Sequence, residues 1–182
     1  MSEEHEMEEL REAAVEGREQ SRMAHVSLTM SILAVLVALA TLLSHRAHTE
    51  EVLLQDKATD TWNYYQAKNI RRHTTEQLDA VLKVMPLKDP AAAEALIKKN
   101  EEWAAKTKSE QDDVMKEAKA LEAEVDLFSH RANRYDLGET LLEVGLVICS
   151  LTLLTRKQHF WIAGVISGII GVVATILGLM VH

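Results

Sequence analysis

The sequence has few residues that interrupt helices or cross-link chains. Its 182 residues include two Pro, seven Gly and a single cysteine, Cys149. A lone cysteine excludes a disulfide within the chain. Gly-rich phosphate loops, nucleophile elbows and paired-cysteine zinc motifs are also missing. The sequence therefore predicts neither an enzyme nor a cofactor.

Basic residues are outnumbered as well. The chain has 20 Lys and Arg against 28 Asp and Glu, a net charge of −8. Residues 1–20 hold eight of the Glu and only two Arg, so residues 1–23 form an acidic N-terminal segment. A protein that coats nucleic acid needs a surplus of Lys and Arg. We expect no nucleic-acid partner.

Three long apolar stretches stand between the charged regions. Residues 24–43 carry no Asp, Glu, Lys or Arg, and twenty residues in a helix span about 30 Å of hydrocarbon. Residues 158–181 form a second such stretch, and 138–155 is apolar apart from two Glu. A signal peptide fits the first stretch poorly, because its flank is long and acidic. The sequence predicts three transmembrane helices in a lipid bilayer.

The charged region 44–137 has no Gly, and both prolines of the chain fall in 85–90. Pro86 ends the incoming helix, and Asp89 followed by Pro90 is typical of an N-cap and first helical residue. We therefore predict an all-α fold whose 44–137 region is a long antiparallel, coiled-coil-like helical hairpin outside the membrane. Gly138 is a candidate kink or break at the second span.

Heptad spacing marks one side of the second hairpin helix. The positions are Ala93, Ile97, Asn100, Ala104, Thr107, Gln111, Val114, Ala118, Leu121, Val125, Phe128, Ala132 and Tyr135. The middle of this series is too polar for a dry two-stranded coiled coil. Further helices from other copies of the chain suit it better.

Small residues recur at helical spacing in two spans, and such stripes let membrane helices approach closely. The partner is either another helix of the chain or a neighbouring copy. The positions are Ser27, Ser31, Ala34, Ala38 and Thr41 in the first span, and Gly164, Gly168, Gly171, Thr175 and Gly178 in the last.

Three of the eight aromatic side chains fall together at Trp62, Tyr64 and Tyr65, followed by Lys68 and Arg71. Nucleic-acid stacking, a ligand cage, an interfacial aromatic belt and helix packing are the alternatives. A belt sits at headgroup level, whereas Trp62 lies 19 residues beyond the first span. We favour packing, since Trp62 and Tyr65 share a helix face.

Two segments resemble a known bacterial family. "ATDTWNYYQAKNIR" (58–71) and "YDLGETLLEVGLVICSLTLLTRKQHFW" (135–161) are similar to the family designated domain of unknown function 4337, and the likeness covers nearly the whole chain. The resemblance implies a membrane architecture and a bacterial source. The family carries no assigned activity, so no catalytic residues follow from it.

Glu143 lies about one turn inside the second span, one turn after Glu139, with Ser150 on the same face. A carboxylate there is costly unless it faces a cavity or a partner. These residues either line a water path or ion site, or the carboxylates reach headgroups, are protonated or are paired.

His45 and His48 follow the first span, and the hairpin brings His130 roughly opposite them. Three imidazoles can bind zinc or sense pH. Without a carboxylate or cysteine partner this pattern does not specify a site, and we predict no metal.

The short basic turn "TRK" (155–157) favours a cytoplasmic N-terminus, with the hairpin and C-terminus outside, in a bacterial inner membrane. The first functional hypothesis is a non-enzymatic, self-associating structural or scaffolding homo-oligomer. The alternative is a channel or transport component with Glu143 lining a polar path. A third is an envelope sensor whose hairpin binds an unknown ligand.

Overall fold

The computed structural model describes residues 2–86 and 88–180, apart from the side chains of residues 2–6, 9, 10 and 12. These residues form three helices: α1 (Ser2–Val84), α2 (Pro90–Thr155) and α3 (Gln158–Leu179). The described part of the chain contains no strand. The predicted all-α class is confirmed. Residues 1, 87 and 181, which the sequence assigns to the N-terminal segment, the hairpin turn and the last span, lie outside the described residues, as does residue 182.

The helix boundaries follow local chemistry. Residues 85, 86, 88 and 89 are not helical, so α1 ends just before Pro86. Asp89 Oδ1 accepts a hydrogen bond of 3.1 Å from the backbone N–H of Ala92, which makes Asp89 the N-cap of α2. α2 does not end at Gly138, where the sequence suggested a kink or break. Likewise, α1 passes from the acidic segment into the first apolar stretch without interruption.

A tight turn joins α2 to α3. Arg156 has φ 55, the left-handed conformation, which disfavours residues with a Cβ. Its backbone N–H donates to the Thr152 carbonyl over 2.8 Å, and the Lys157 N–H donates to Thr155 Oγ1 over 3.4 Å. α3 then begins at Gln158 without a side-chain cap.

The chain divides into two units, the three-helix unit (residues 2–48 and 129–180) and the hairpin unit (Thr49–Phe128). By length and composition, each of the three helices contains a stretch apolar enough to cross a membrane. In the three-helix unit, every seventh residue of α1 is buried, so one side of the helix faces the interior. The buried hydrophobic residues of this unit are Val26, Leu33, Ala40, Ala47, Ala132, Tyr135, Leu142, Cys149 and Ala174.

The hairpin unit has a mixed core. Leu54 and Ala58 of α1 and Ala118 of α2 are buried. Every heptad position predicted for α2 is buried or half-buried, so the sequence identified its packed side. Polar groups lie in the same interior: Asn100 Nδ2 donates to the buried Asp79 Oδ1 over 2.6 Å.

Candidate functional site

Glycines bring α2 and α3 into backbone contact. A Cβ at Gly145 would lie 2.7 Å from the Gly164 carbonyl oxygen, and one at Gly171 would lie 2.8 Å from the Gly138 carbonyl oxygen. Real Cβ atoms do not approach backbone so closely, so these positions require glycine. Gly138 therefore serves a close approach between helices and not a break.

The small-residue stripe of α3 packs inside the chain. Gly164, Gly168, Gly171 and Gly178 are buried, and Thr175 is half-buried. Leu33 of α1 fills the space left by the missing side chain of Gly168. This stripe thus lies against both other helices of its unit.

The small-residue stripe of α1 stays outside the packed interior of the chain, and only Thr41 at its end has a side-chain hydrogen bond to another helix. Ser27, Ser31, Ala34, Ala38 and Thr41 are all exposed. The face of α1 that turns inward carries Val26, Leu33 and Ala40 instead. The physical reason is that α3 supplies the small residue at the crossing, so α1 presents a large one to fill it.

Polar side chains pair α1 with α2 at one end of the apolar stretches. Thr41 Oγ1 donates to Glu139 Oε1 over 2.6 Å. Ser44 Oγ donates to Asp136, whose second oxygen lies 3.0 Å from His48 Nε2. Half-buried Glu139 therefore has a hydrogen-bond donor of its own chain. It belongs to this group of helix-pairing contacts.

These contacts shift the titration of Asp136. Burial acts to raise its pKa, but the hydrogen bonds from Ser44 and His48 and the charge of His48 outweigh it, and the pKa is lowered. A lowered folded-state pKa contributes stability that is present above the ordinary Asp value of about 3.9 and is lost as the pH falls through the folded value.

We expect Asp136→Asn to lower the free energy of unfolding by about 1 kcal/mol at pH 7. Charged hydrogen bonds contribute about 1.5–3 kcal/mol, reduced here because both side chains of the ion pair are nearly half exposed. Chemical unfolding of detergent-solubilised protein measures the difference, which should shrink as the pH falls below about 4. The exposed Asp126→Asn is the control. A difference that stays constant down to pH 2 contradicts the assignment.

The histidines do not come together as a trio. His48 is paired with Asp136, and all three histidines are exposed. Among the side chains that the structure describes in residues 2–86 and 88–180, no group of three or more His, Cys, Asp or Glu could hold a metal ion.

Glu143 stands apart from the other polar residues of its stretch. Its side chain is exposed and makes no hydrogen bond or ion pair with any residue that the structure describes. Ser150 is half-buried and donates to the Val147 carbonyl over 2.7 Å. Glu139, Glu143 and Ser150 therefore form no continuous polar path inside one chain.

The aromatic stretch of the hairpin unit divides into a packed part and an open part. Trp62 and Tyr65 are half-buried, with ring centroids 5.5 Å apart at 87°. Trp62 Nε1 also donates to Glu122 Oε1 over 2.8 Å. Edge-to-face rings tied to the opposite helix agree with the packing interpretation.

Tyr64 is exposed and forms the open part. Lys68 Nζ lies 4.9 Å from its ring centroid and 2.5 Å from Glu110 Oε2. The hydrogen bond to Glu110 raises the pKa of Lys68, and the same bond lowers the pKa of Glu110. Both groups therefore stay charged at neutral pH, and Lys68 is held over the ring.

A cavity of about 340 Å³ opens beside these side chains, lined by Tyr64, Lys68, Arg71, Trp103 and Glu110 among others. A second, of about 270 Å³, shares Arg71 and Trp103 with it. Trp103 was missed by sequence reasoning. The signal was available, since a turn at 85–90 places residue 103 opposite residues near 75.

The comparisons with known proteins identify the family. The family model described as "Domain of unknown function (DUF4337)" matches residues 22–181. The chain belongs to this family, as the aromatic stretch and the last two apolar stretches suggested. No curated protein and no solved structure matches the chain.

Proposed function

We propose that this member of the domain of unknown function 4337 family is a non-catalytic integral membrane protein that assembles with copies of itself as a structural scaffold. The three-helix unit would span a bacterial inner membrane, and the charged hairpin unit would lie outside it. The short basic turn at 155–157 supports a cytoplasmic N-terminus.

The outer surface of the three-helix unit supports the membrane placement. Large apolar side chains point away from the packed interior along each of the apolar stretches; they include Leu28, Val35, Leu42, Val147, Ile166 and Ile169. Helices that are apolar all round suit hydrocarbon surroundings. Exposing so large an apolar surface to water would be unfavourable.

Unpartnered Glu143 is the observation that carries self-association. It projects outward from an apolar stretch without a hydrogen-bond partner among the described residues. A carboxylate at the centre of a span costs about 2.5–3.5 kcal/mol on insertion scales, and less near the membrane surface. A neighbouring copy can supply a polar partner and remove this cost.

The exposed small residues of α1 provide a second reason. Ala34 and Ala38 are exposed, although Thr41 at the end of the same stripe contacts Glu139 of α2. In lipid, such stripes are where helices approach one another most closely. We therefore place the contact between copies on this face of α1 and on the outer face of α2 that carries Glu143.

The test is the mass of the protein in lipid nanodiscs and detergent. We expect an oligomer. Glu143→Leu should raise its dissociation constant about 3- to 20-fold, because interhelical polar contacts contribute about 0.6–1.7 kcal/mol in membranes. Ala34→Leu with Ala38→Leu should dissociate it further. Ala163→Leu, at an exposed alanine of α3, is the matched control. A monomer at all protein concentrations would rule out the scaffold.

The same outward carboxylate favours a second candidate, a channel formed between copies with Glu143 lining it. Liposome flux measurements on the wild type and Glu143→Gln separate the two. A cation flux that falls in Glu143→Gln supports conduction. Intact oligomers with no flux in either protein leave the scaffold as the function.

A further inference from the structure

One cavity lies at the opposite end of the apolar stretches from Asp136. It has a volume of about 220 Å³ and lies between the start of the apolar stretch of α1 and the α2–α3 turn. We name it the turn pocket. Its polar lining comes from Arg22, His25, Thr152, Arg156 and Gln158.

The turn pocket carries positive charge. Arg22 and Arg156 both line it, and no carboxylate is among its lining residues. Glu19 Oε2 lies 3.1 Å from Arg156 Nη1, in a pair whose side chains are 45% and 70% exposed. Such an exposed pair is worth little, so an anion can replace Glu19 at small cost.

Two polar features without a side-chain partner belong to residues that line the pocket, Thr152 and the start of α3 at Gln158. The Thr152 hydroxyl is buried, in a residue 2% exposed, and has no hydrogen-bond partner in the described part of the chain. Buried polar groups almost always have a partner, so this one points to a missing group. α3 begins here without a side-chain cap, and its first N–H groups favour a negative charge.

The remaining lining residues are apolar: Met23, Val26 and Trp161. Trp161 is oriented by its Nε1–H, which donates to Thr29 Oγ1 over 3.2 Å. Inorganic phosphate would contact the arginines but would have no apolar part to contact these three side chains. A phospholipid presents a phosphate beside its glycerol and acyl carbons, and basic pockets between membrane helices on the cytoplasmic side suit such headgroups.

We infer that the turn pocket binds the phosphate headgroup of an anionic phospholipid. The phosphate lies between Arg22 and Arg156 at the start of α3, and the apolar residues contact the carbons next to it. The volume is below the roughly 300 Å³ typical of whole drug-sized ligands, as expected when only a headgroup enters. The inference uses the proposed membrane placement and is independent of self-association.

The experiment titrates the full-length protein in neutral detergent with short-chain phosphatidylglycerol, short-chain phosphatidylcholine and inorganic phosphate, reading binding by thermophoresis. We expect at least tenfold tighter binding of phosphatidylglycerol than of phosphatidylcholine. Arg22→Gln with Arg156→Gln should weaken phosphatidylglycerol binding about 25-fold, at about fivefold per arginine near an anionic surface. Arg156→Lys should retain most of it.

Arg11→Gln with Arg18→Gln is the matched control, since it removes two exposed arginines of α1 that do not line the pocket. Equal affinities for the two lipids, or equal losses in the two double variants, would overturn the site. Inorganic phosphate binding as tightly as phosphatidylglycerol, with the same loss in Arg22→Gln and Arg156→Gln, would overturn the lipid as its source. The mass of the oligomer is measured on the same samples. A failure of lipid binding with an intact oligomer then counts against the pocket alone and not against the scaffold.

Discussion

Replacing Gly145 by Leu is expected to separate α2 from α3 and to cost about 3 kcal/mol or more of unfolding free energy. The new Cβ would lie 2.7 Å from the Gly164 carbonyl oxygen and 3.1 Å from the Gly168 nitrogen. Both are backbone atoms that cannot rotate away, so a helix must move. The higher helix propensity of Leu, about 0.8–1 kcal/mol over Gly, offsets only part of this loss.

Gly17→Leu provides the control for this substitution. A Cβ at Gly17 meets nothing within 4 Å, so the same chemical change should leave stability unchanged or slightly raised. Unfolding in mixed micelles of increasing sodium dodecyl sulfate fraction measures both variants. If Gly145→Leu unfolds at the wild-type micelle composition, the close backbone contact between α2 and α3 does not exist.

Truncating Leu142 to Ala is expected to cost about 2 kcal/mol. Leu142 is 1% exposed and packs with Leu33, Ala40 and Cys149. Leu→Ala changes in the cores of soluble proteins cost about 2–5 kcal/mol, from transfer and cavity terms together. In lipid the transfer term is small, because acyl chains are as apolar as the protein interior, and the lost packing remains.

Leu154→Ala, an identical change in the same helix at a side chain 83% exposed, should cost less than about 0.5 kcal/mol. The same micelle titration reports both. Equal losses of unfolding free energy at the two positions would mean that Leu142 does not lie in a packed core.

Local chemistry in the sequence was enough to predict where α1 ends and where α2 begins. The Pro86 and Asp89-Pro90 signals lie where α1 ends and α2 begins, because each acts on backbone within one turn of itself. The prediction for Gly138 was less successful. A glycine lowers helix propensity by only about 1 kcal/mol, and the close contact with Gly171 compensates for it.

Predicting the candidate sites was harder, because they depend on which helix faces are opposed. Small-residue stripes occur in both α1 and α3, yet only that of α3 is buried in the chain. The periodicity of a helix identifies its stripes but not the partner of each stripe. Glu139 and Glu143, one turn apart, differ for the same reason: only Glu139 lies opposite a donor, Thr41.

The sequence alone determined the helical class, the three apolar stretches and the hairpin turn, since these follow from composition, length and local backbone preference. Only the tertiary structure decided that Leu33 fills the gap at Gly168, that Glu143 projects outward and that Arg22 and Arg156 line one pocket. The first and the last of these arrangements join residues more than a hundred positions apart. Their geometry is set when the helices pack, and no local pattern specifies it.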